Sequence, residues 1–203
     1  MQKKDKKTTT QLAEENFEVQ RAYLKSEGYV EHEAVISITV ANFKSILLAF
    51  PLIAVFFAAH LLLWKDIQID MEEALILLFI WLISLAVHEL LHGFGWSLFC
   101  KDRFKSIRFG VIWSALTPYC NCKEPLGFGQ YLLGAVLPLF ILGFIPSAVA
   151  LLLGNVYLLY FGALGIMGAG GDMLISLSMR KYPKALFLDH PTECGFFAFE
   201  KSF

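Results

Sequence analysis

From Pro125 to Gly171 the chain runs for 47 residues without Asp, Glu, Lys or Arg. At about 20 residues per crossing of a bilayer's hydrocarbon core, that stretch is long enough for two membrane-spanning helices. A second uncharged run covers Ser45 to Trp64. From Ala74 to Cys100 the only charged or histidine side chains belong to one five-residue motif. A soluble core can hold one such run, but three are hard to bury without lipid. The composition agrees, at 57% hydrophobic and 17% charged residues. The sequence therefore predicts an all-α polytopic membrane protein. It expects about four transmembrane helices, near 45–64, 74–96, 129–153 and 156–179, with a small cytoplasmic β element. The organisation expected is a 1–44 N-terminal segment, a 45–179 membrane core with a loop over 101–124, and a 180–203 tail.

Charge placement orients these spans. Lys3, Lys4, Lys6, Lys7, Arg21, Lys25 and Lys44 precede the first helix, Lys101, Arg103, Lys105, Arg108 and Lys123 follow the second, and Arg180, Lys181 and Lys184 follow the fourth. The remaining connections are the acidic stretch Lys65 to Glu73 and the turn Gly154-Asn155. Four crossings place every basic segment on one side, so both termini are expected in the cytoplasm. The first apolar run lies behind a polar segment, and the span from Ser45 is expected to remain in the mature protein. The amino-terminal lysines could bind anionic lipid or nucleic acid but read better as a topogenic tail, so the lipid bilayer is the expected partner and no nucleic acid is expected. Cys100, Cys120, Cys122 and Cys194 fall on the reducing side. Cys120-Asn121-Cys122 has one residue between its thiols, short of the usual structural-zinc spacing, and free thiols are expected.

Local signals are sparser. Thr8-Thr9-Thr10 reads as the cap of an amphipathic surface helix that Gly28 ends. Ala34 to Val40 is rich in β-branched residues and reads as a strand, after which Asn42 can cap the first spanning helix. Phe104 to Trp113 alternates in part, placing Ile107, Phe109, Val111 and Trp113 on one face of a second strand candidate. Pro138 and Pro146 interrupt the third helix, while Gly162, Gly165, Gly168, Gly170 and Gly171 suit the fourth to close helix packing.

The motif is His88-Glu89-Leu90-Leu91-His92, the HExxH spacing of zinc peptidases. Residues four apart share a helix face, so both imidazoles can reach one ion. Glu89, about 100° around the helix, can serve as base toward water beside it. A zinc site needs a third protein ligand. Asp172 is the only charged residue between Glu124 and Arg180. It lies seven residues before the inner end of its helix, roughly 10 Å, at the depth of His88. His190 is the second choice, with Asp189 and Glu193 beside it in the tail. His60 falls near the opposite face and reads as a packed or interfacial histidine.

These residues resemble the putative zincin peptidases, small bacterial membrane proteins, and more remotely the site-2 intramembrane metalloproteases. The likeness runs from about Ala34 to Gly195. It is sharpest at His88, Glu89, His92 and Gly171-Asp172, with a weaker signature at Asp189 to Gly195. In site-2 proteases the aspartate precedes a glycine, whereas here Gly170-Gly171 precede Asp172 and Met173 follows. The resemblance implies one Zn²⁺ held by His88, His92 and Asp172, Glu89 as proton acceptor, and a bacterial inner membrane. It also implies a membrane-associated protein or peptide substrate. Such a substrate must be extended before attack, and the strand around Ile107, Phe109, Val111 and Trp113 can receive it by strand addition or simply anchor the loop at the membrane surface. The competing functions are a non-catalytic zinc-binding scaffold and a small transporter. The apolar outer halves of the second and fourth helices disfavour the transporter. Oligomeric state is not legible.

Overall fold

Three helices are long and apolar enough to cross a membrane, or four if one bent pair counts as a single span. The structure, a computed structural model, describes residues 9–35, 38–112, 117–191 and 195–202. The first three spans are α2 (Ile38–Trp64), α3 (Met71–Ser97), and a third built from α4 (Phe128–Pro138), a π-helical stretch (Leu139–Phe144) and α5 (Ile145–Leu153). The π-helix lies between two prolines, each of which removes a backbone donor from the regular ladder. The bent pair is α6 (Val156–Gly168) and α7 (Gly170–Met179), at 46°. The expected fourth span is thus two helices, and the break sits three residues before Asp172.

Glycines make the bundle tight at particular points. A Cβ on Gly165 would lie 2.1 Å from the Leu142 carbonyl oxygen, and one on Gly162 would lie 2.2 Å from Ser147 Oγ. These two seat α6 against the third span. Gly168 and Gly171 face open space, so the glycine stripe is only partly a packing device.

The β structure is larger than the single element expected. A four-stranded antiparallel sheet has the order β1 (Tyr29–Val35), β6 (Gly195–Lys201), β5 (Leu186–Asp189), β4 (Leu126–Gly127). Helix α1 (Thr9–Ser26) covers one face, where Phe17 and Leu24 meet Leu188, Phe197 and Phe199. The alternate residues Phe187, Phe196 and Ala198 point the other way, onto Trp96, Tyr131 and Met179 at the ends of the helices. Both faces of β6 are therefore buried. A two-stranded hairpin, β2 (Ile107–Ile112) with β3 (Thr117–Cys122), stands separately over α3.

Several sequence expectations are corrected here. The amino-terminal strand is Tyr29–Val35 rather than Ala34–Val40, because Ile38 to Val40 already belong to the first spanning helix. Asn42 consequently lies one turn inside that helix and is not its cap. Arg103–Ser106 forms a 3-10 turn, so the second strand begins only at Ile107. Thr8 and Trp113 lie outside the described residues. The tail 180–203 contributes the two middle strands of the larger sheet.

Candidate metal centre

The site is built where α3 ends. His88 and His92 are one turn apart, and their Nε2 atoms lie 3.1 Å from each other. The carboxylate of Asp172, in the first turn of α7, is 3.1 Å from His88 Nε2 through Oδ2 and 3.3 Å from His92 Nε2 through Oδ1. Among the described residues this is the group able to hold a metal ion. The bend before α7 contributes in two ways. It starts a new helix at Gly170, which places Asp172 near an N-terminus whose unsatisfied N–H groups favour negative charge. It also turns the carboxylate toward the imidazoles while Gly170 packs against Ser45 of α2.

His92 is held from two further directions. Its Nδ1 lies 2.8 Å from the carbonyl oxygen of Gly134 on α4. A carbonyl only accepts, so Nδ1 carries the proton and Nε2 presents its lone pair to the cluster. The Trp96 indole stacks on the imidazole at 5.3 Å and 14°, and its Nε1 donates to the Tyr131 carbonyl at 2.9 Å. A hydrogen bond from the remote ring nitrogen to a backbone carbonyl is the usual means of fixing a metal-ligating histidine.

Glu89, about 100° around α3 from His88, faces the hairpin. The backbone N–H of Cys120 is its hydrogen-bond donor. Glu89 also lines a cavity of about 250 Å³ shared with Ala86, Leu90, Phe109, Gly110, Pro118 and Tyr119. On β3 the N–H of Cys122 donates to Asp189 Oδ2 at 2.6 Å, and Pro118 has no N–H. The outer edge of β3 is therefore committed to carboxylates. By the alternation of an antiparallel ladder, the outward groups of β2 belong to Ile107, Phe109 and Val111. The Ile107 N–H already bonds Phe104, and among the described residues no strand lies along the rest of that edge.

The tail fixes the hairpin from its opposite side. Arg108 Nη2 donates to the Pro191 carbonyl at 3.0 Å, and Asn121 Nδ2 to the His190 carbonyl at 3.2 Å. Asp189 is buried and accepts from the Tyr131 hydroxyl as well as from Cys122. Burial pushes its carboxyl up to about 6, against the lowering effect of those two donors. Asp189 and His190 are thus placed in the hairpin's support and outside the three-residue cluster; the His190 ring stacks on Phe197 at 5.4 Å. His60 is buried with Nδ1 3.1 Å from the Asp66 carbonyl oxygen. Cys100 and Cys122 hold their sulfurs 3.4 Å apart as free thiols, and Cys194 lies outside the described residues. Burial pushes the Cys120 thiol up.

A family model described as putative zincin peptidase matches residues 81–187, just over half of the chain. The chain belongs to that family. No curated protein and no solved structure matches it. The matched stretch starts about two turns before His88 and ends in β5, so it contains the cluster and the hairpin together.

A zincin family implies zinc, and the donor set can be tested against it. Ligand atoms each about 2.0–2.1 Å from a tetrahedral ion stand about 3.3 Å from one another. The observed separations, 3.1 Å between the two Nε2 atoms and 3.1 and 3.3 Å from them to the two oxygens of the Asp172 carboxylate, are close to that spacing. Two imidazole nitrogens and a carboxylate oxygen are also the donor chemistry of catalytic rather than structural zinc sites.

Sequence reasoning missed Gly134, Trp96, the Cys120 amide and the supporting role of Asp189. Trp96 had a signal, since it continues the His88, His92 face at the same four-residue step. The others come from contacts between distant segments.

Proposed function

We propose that the protein is a zinc-dependent membrane-embedded peptidase that hydrolyses peptide bonds of membrane-associated protein substrates. The observation that carries this reading is the triangle of His88 Nε2, His92 Nε2 and the Asp172 carboxylate, with Glu89 on the same helix turn. Zinc bound there supplies Lewis-acid chemistry, acidifying water and polarising a carbonyl. His88 and His92 would hold it through Nε2 and Asp172 through its carboxylate. Glu89 accepts the proton of the attacking water and returns it to the departing amine nitrogen. The Cys120 N–H steadies the Glu89 carboxylate and keeps it between the cluster and the hairpin.

The substrate binds extended along the outer edge of β2, where the Phe109 and Val111 backbone groups continue the ladder. Its side chain enters the cavity beside Glu89, whose walls are mostly apolar. On this reading both termini, the hairpin and the basic loops lie on the cytoplasmic side, where basic residues are retained, with the cluster in the inner leaflet of a bacterial inner membrane.

The test is Glu89→Gln in protein reconstituted in liposomes with a fluorescent single-span peptide carrying a helix-breaking segment. Zinc content should stay at one ion while cleavage falls by about 10²- to 10⁴-fold. Cleavage that survives the substitution removes Glu89 from the chemistry. Zinc retained by a wild-type protein that cleaves no such peptide favours a non-catalytic scaffold.

A further inference from the structure

The carbonyl that receives the His92 proton belongs to a helix, where carbonyls are ordinarily taken by the N–H four residues on. For Gly134 that residue is Pro138, which has no N–H. The next donor along the chain, the Leu139 N–H, goes to the Val136 carbonyl. A proline ring also presses on the carbonyl four residues before it and tilts that group away from the axis. Gly134 is thereby left with an oxygen turned out of its own ladder, 2.8 Å from His92 Nδ1. The same glycine clears space for the second support of that ring. A Cβ on Gly134 would stand 2.2 Å from Trp96 Cδ1, and Trp96 is the indole stacked on His92. Pro138 is itself fully buried, and its missing N–H bears on His92 through one backbone oxygen, that of Gly134.

We infer that Pro138 is a positioning residue for the metal centre: by vacating the Gly134 carbonyl it fixes the proton of His92 on Nδ1 and aims Nε2 at the ion. This rests on the zinc reading given above. A helix interrupted for packing alone needs a proline anywhere in the turn. The interruption falls on the one residue whose missing N–H corresponds to the His92 acceptor. Pro146, in the same span, provides the contrast, since it opens α5 after the π-helical stretch, away from the cluster.

The experiment compares full-length wild type, Pro138→Ala and Pro146→Ala in detergent, using Zn²⁺ with a chromophoric competitor and the imidazole ¹H–¹⁵N spectrum of the zinc-loaded protein. In wild type the His92 Nδ1–H should be a downfield, slowly exchanging signal. Pro138→Ala restores an N–H that competes for Gly134. It should weaken zinc by about 10- to 100-fold, the size expected for loss of an outer-shell partner. The His92 signal should move upfield and exchange faster while His88 stays in place. Pro146→Ala should change neither. Wild-type affinity and an unmoved His92 signal in Pro138→Ala overturn the inference and leave the zinc reading intact. A wild type that holds no zinc overturns both. If Pro138→Ala does not fold, the wild-type spectrum decides, because a His92 Nδ1–H in free exchange with water is incompatible with the proposed bond.

Discussion

The two ends of the helix bundle differ in what surrounds them. At the end farther from the cluster (the outer end of the bundle) and along the middle, α2 and α3 present Phe50, Val55, Leu62, Phe79 and Ile83 outward, all exposed in the isolated chain. The buried residues of α3 are crowded into its inner part: Ser84, His92, Gly93, Gly95, Trp96 and Ser97. There the helix is enclosed by α4, α7, the hairpin and the larger sheet. The difference shows why the polar cluster sits where it does. Lipid cannot hydrogen-bond an imidazole or a carboxylate, whereas the inner end supplies a carbonyl, a stacked indole and a strand amide. The lipid-facing surface of α2 and α3 asks only for apolar side chains over the right length.

The strongest test of this contrast removes a ligand. His92→Ala or Asp172→Ala should weaken zinc by more than about 100-fold, beyond any outer-shell change. His60→Ala, at the outer end, should leave it unaltered, and elemental analysis of purified protein separates the cases. Asp172→Ala with full zinc would move the third ligand elsewhere.

The next largest effect concerns the support of the hairpin. The Asp189 carboxyl is held up near 6, above its unfolded value, so the folded state binds the extra proton. Stability is then greatest at low pH and declines as pH rises from about 4 to 6, by about 3 kcal/mol over the full range. Asp189→Asn should flatten that slope in metal-stripped protein followed by thermal unfolding. An unchanged slope would assign it to other groups.

A smaller contrast compares single side chains. Gly134→Ala must displace Trp96 and should cost about 1–3 kcal/mol. Leu62→Ala, 80% exposed, should change stability by less than about 0.5 kcal/mol. Equal losses in Tm would mean that the inner end is no more tightly specified than the outer.

Much of this was readable from residues alone. The uncharged runs located the spans to within a few residues, with the first and second helices beginning earlier than their apolar runs. The HExxH spacing located the histidine pair, and the isolation and depth of Asp172 singled it out. What the chain hid is non-local. Gly195 to Lys201 is buried on both faces and shows no alternation, and it pairs with Tyr29–Val35 more than 150 residues away. The break before α7 was masked because glycines suit close packing as well as interruption. Pro138 was legible as a kink, but its link to His92 depends on which carbonyl faces α3, and that is settled only by helix packing.

Strand β6 occupies the middle of the larger sheet, yet it is translated after every apolar helix. During synthesis the spans can therefore enter the membrane, and the histidine pair can meet Asp172, before Asp189, His190 and Pro191 have a sheet to hold them against the hairpin. A nascent chain at that stage has the cluster but lacks the hairpin's support from the tail. Joining the two distant segments works as a late assembly step, because the larger sheet can close only after β6 has been made.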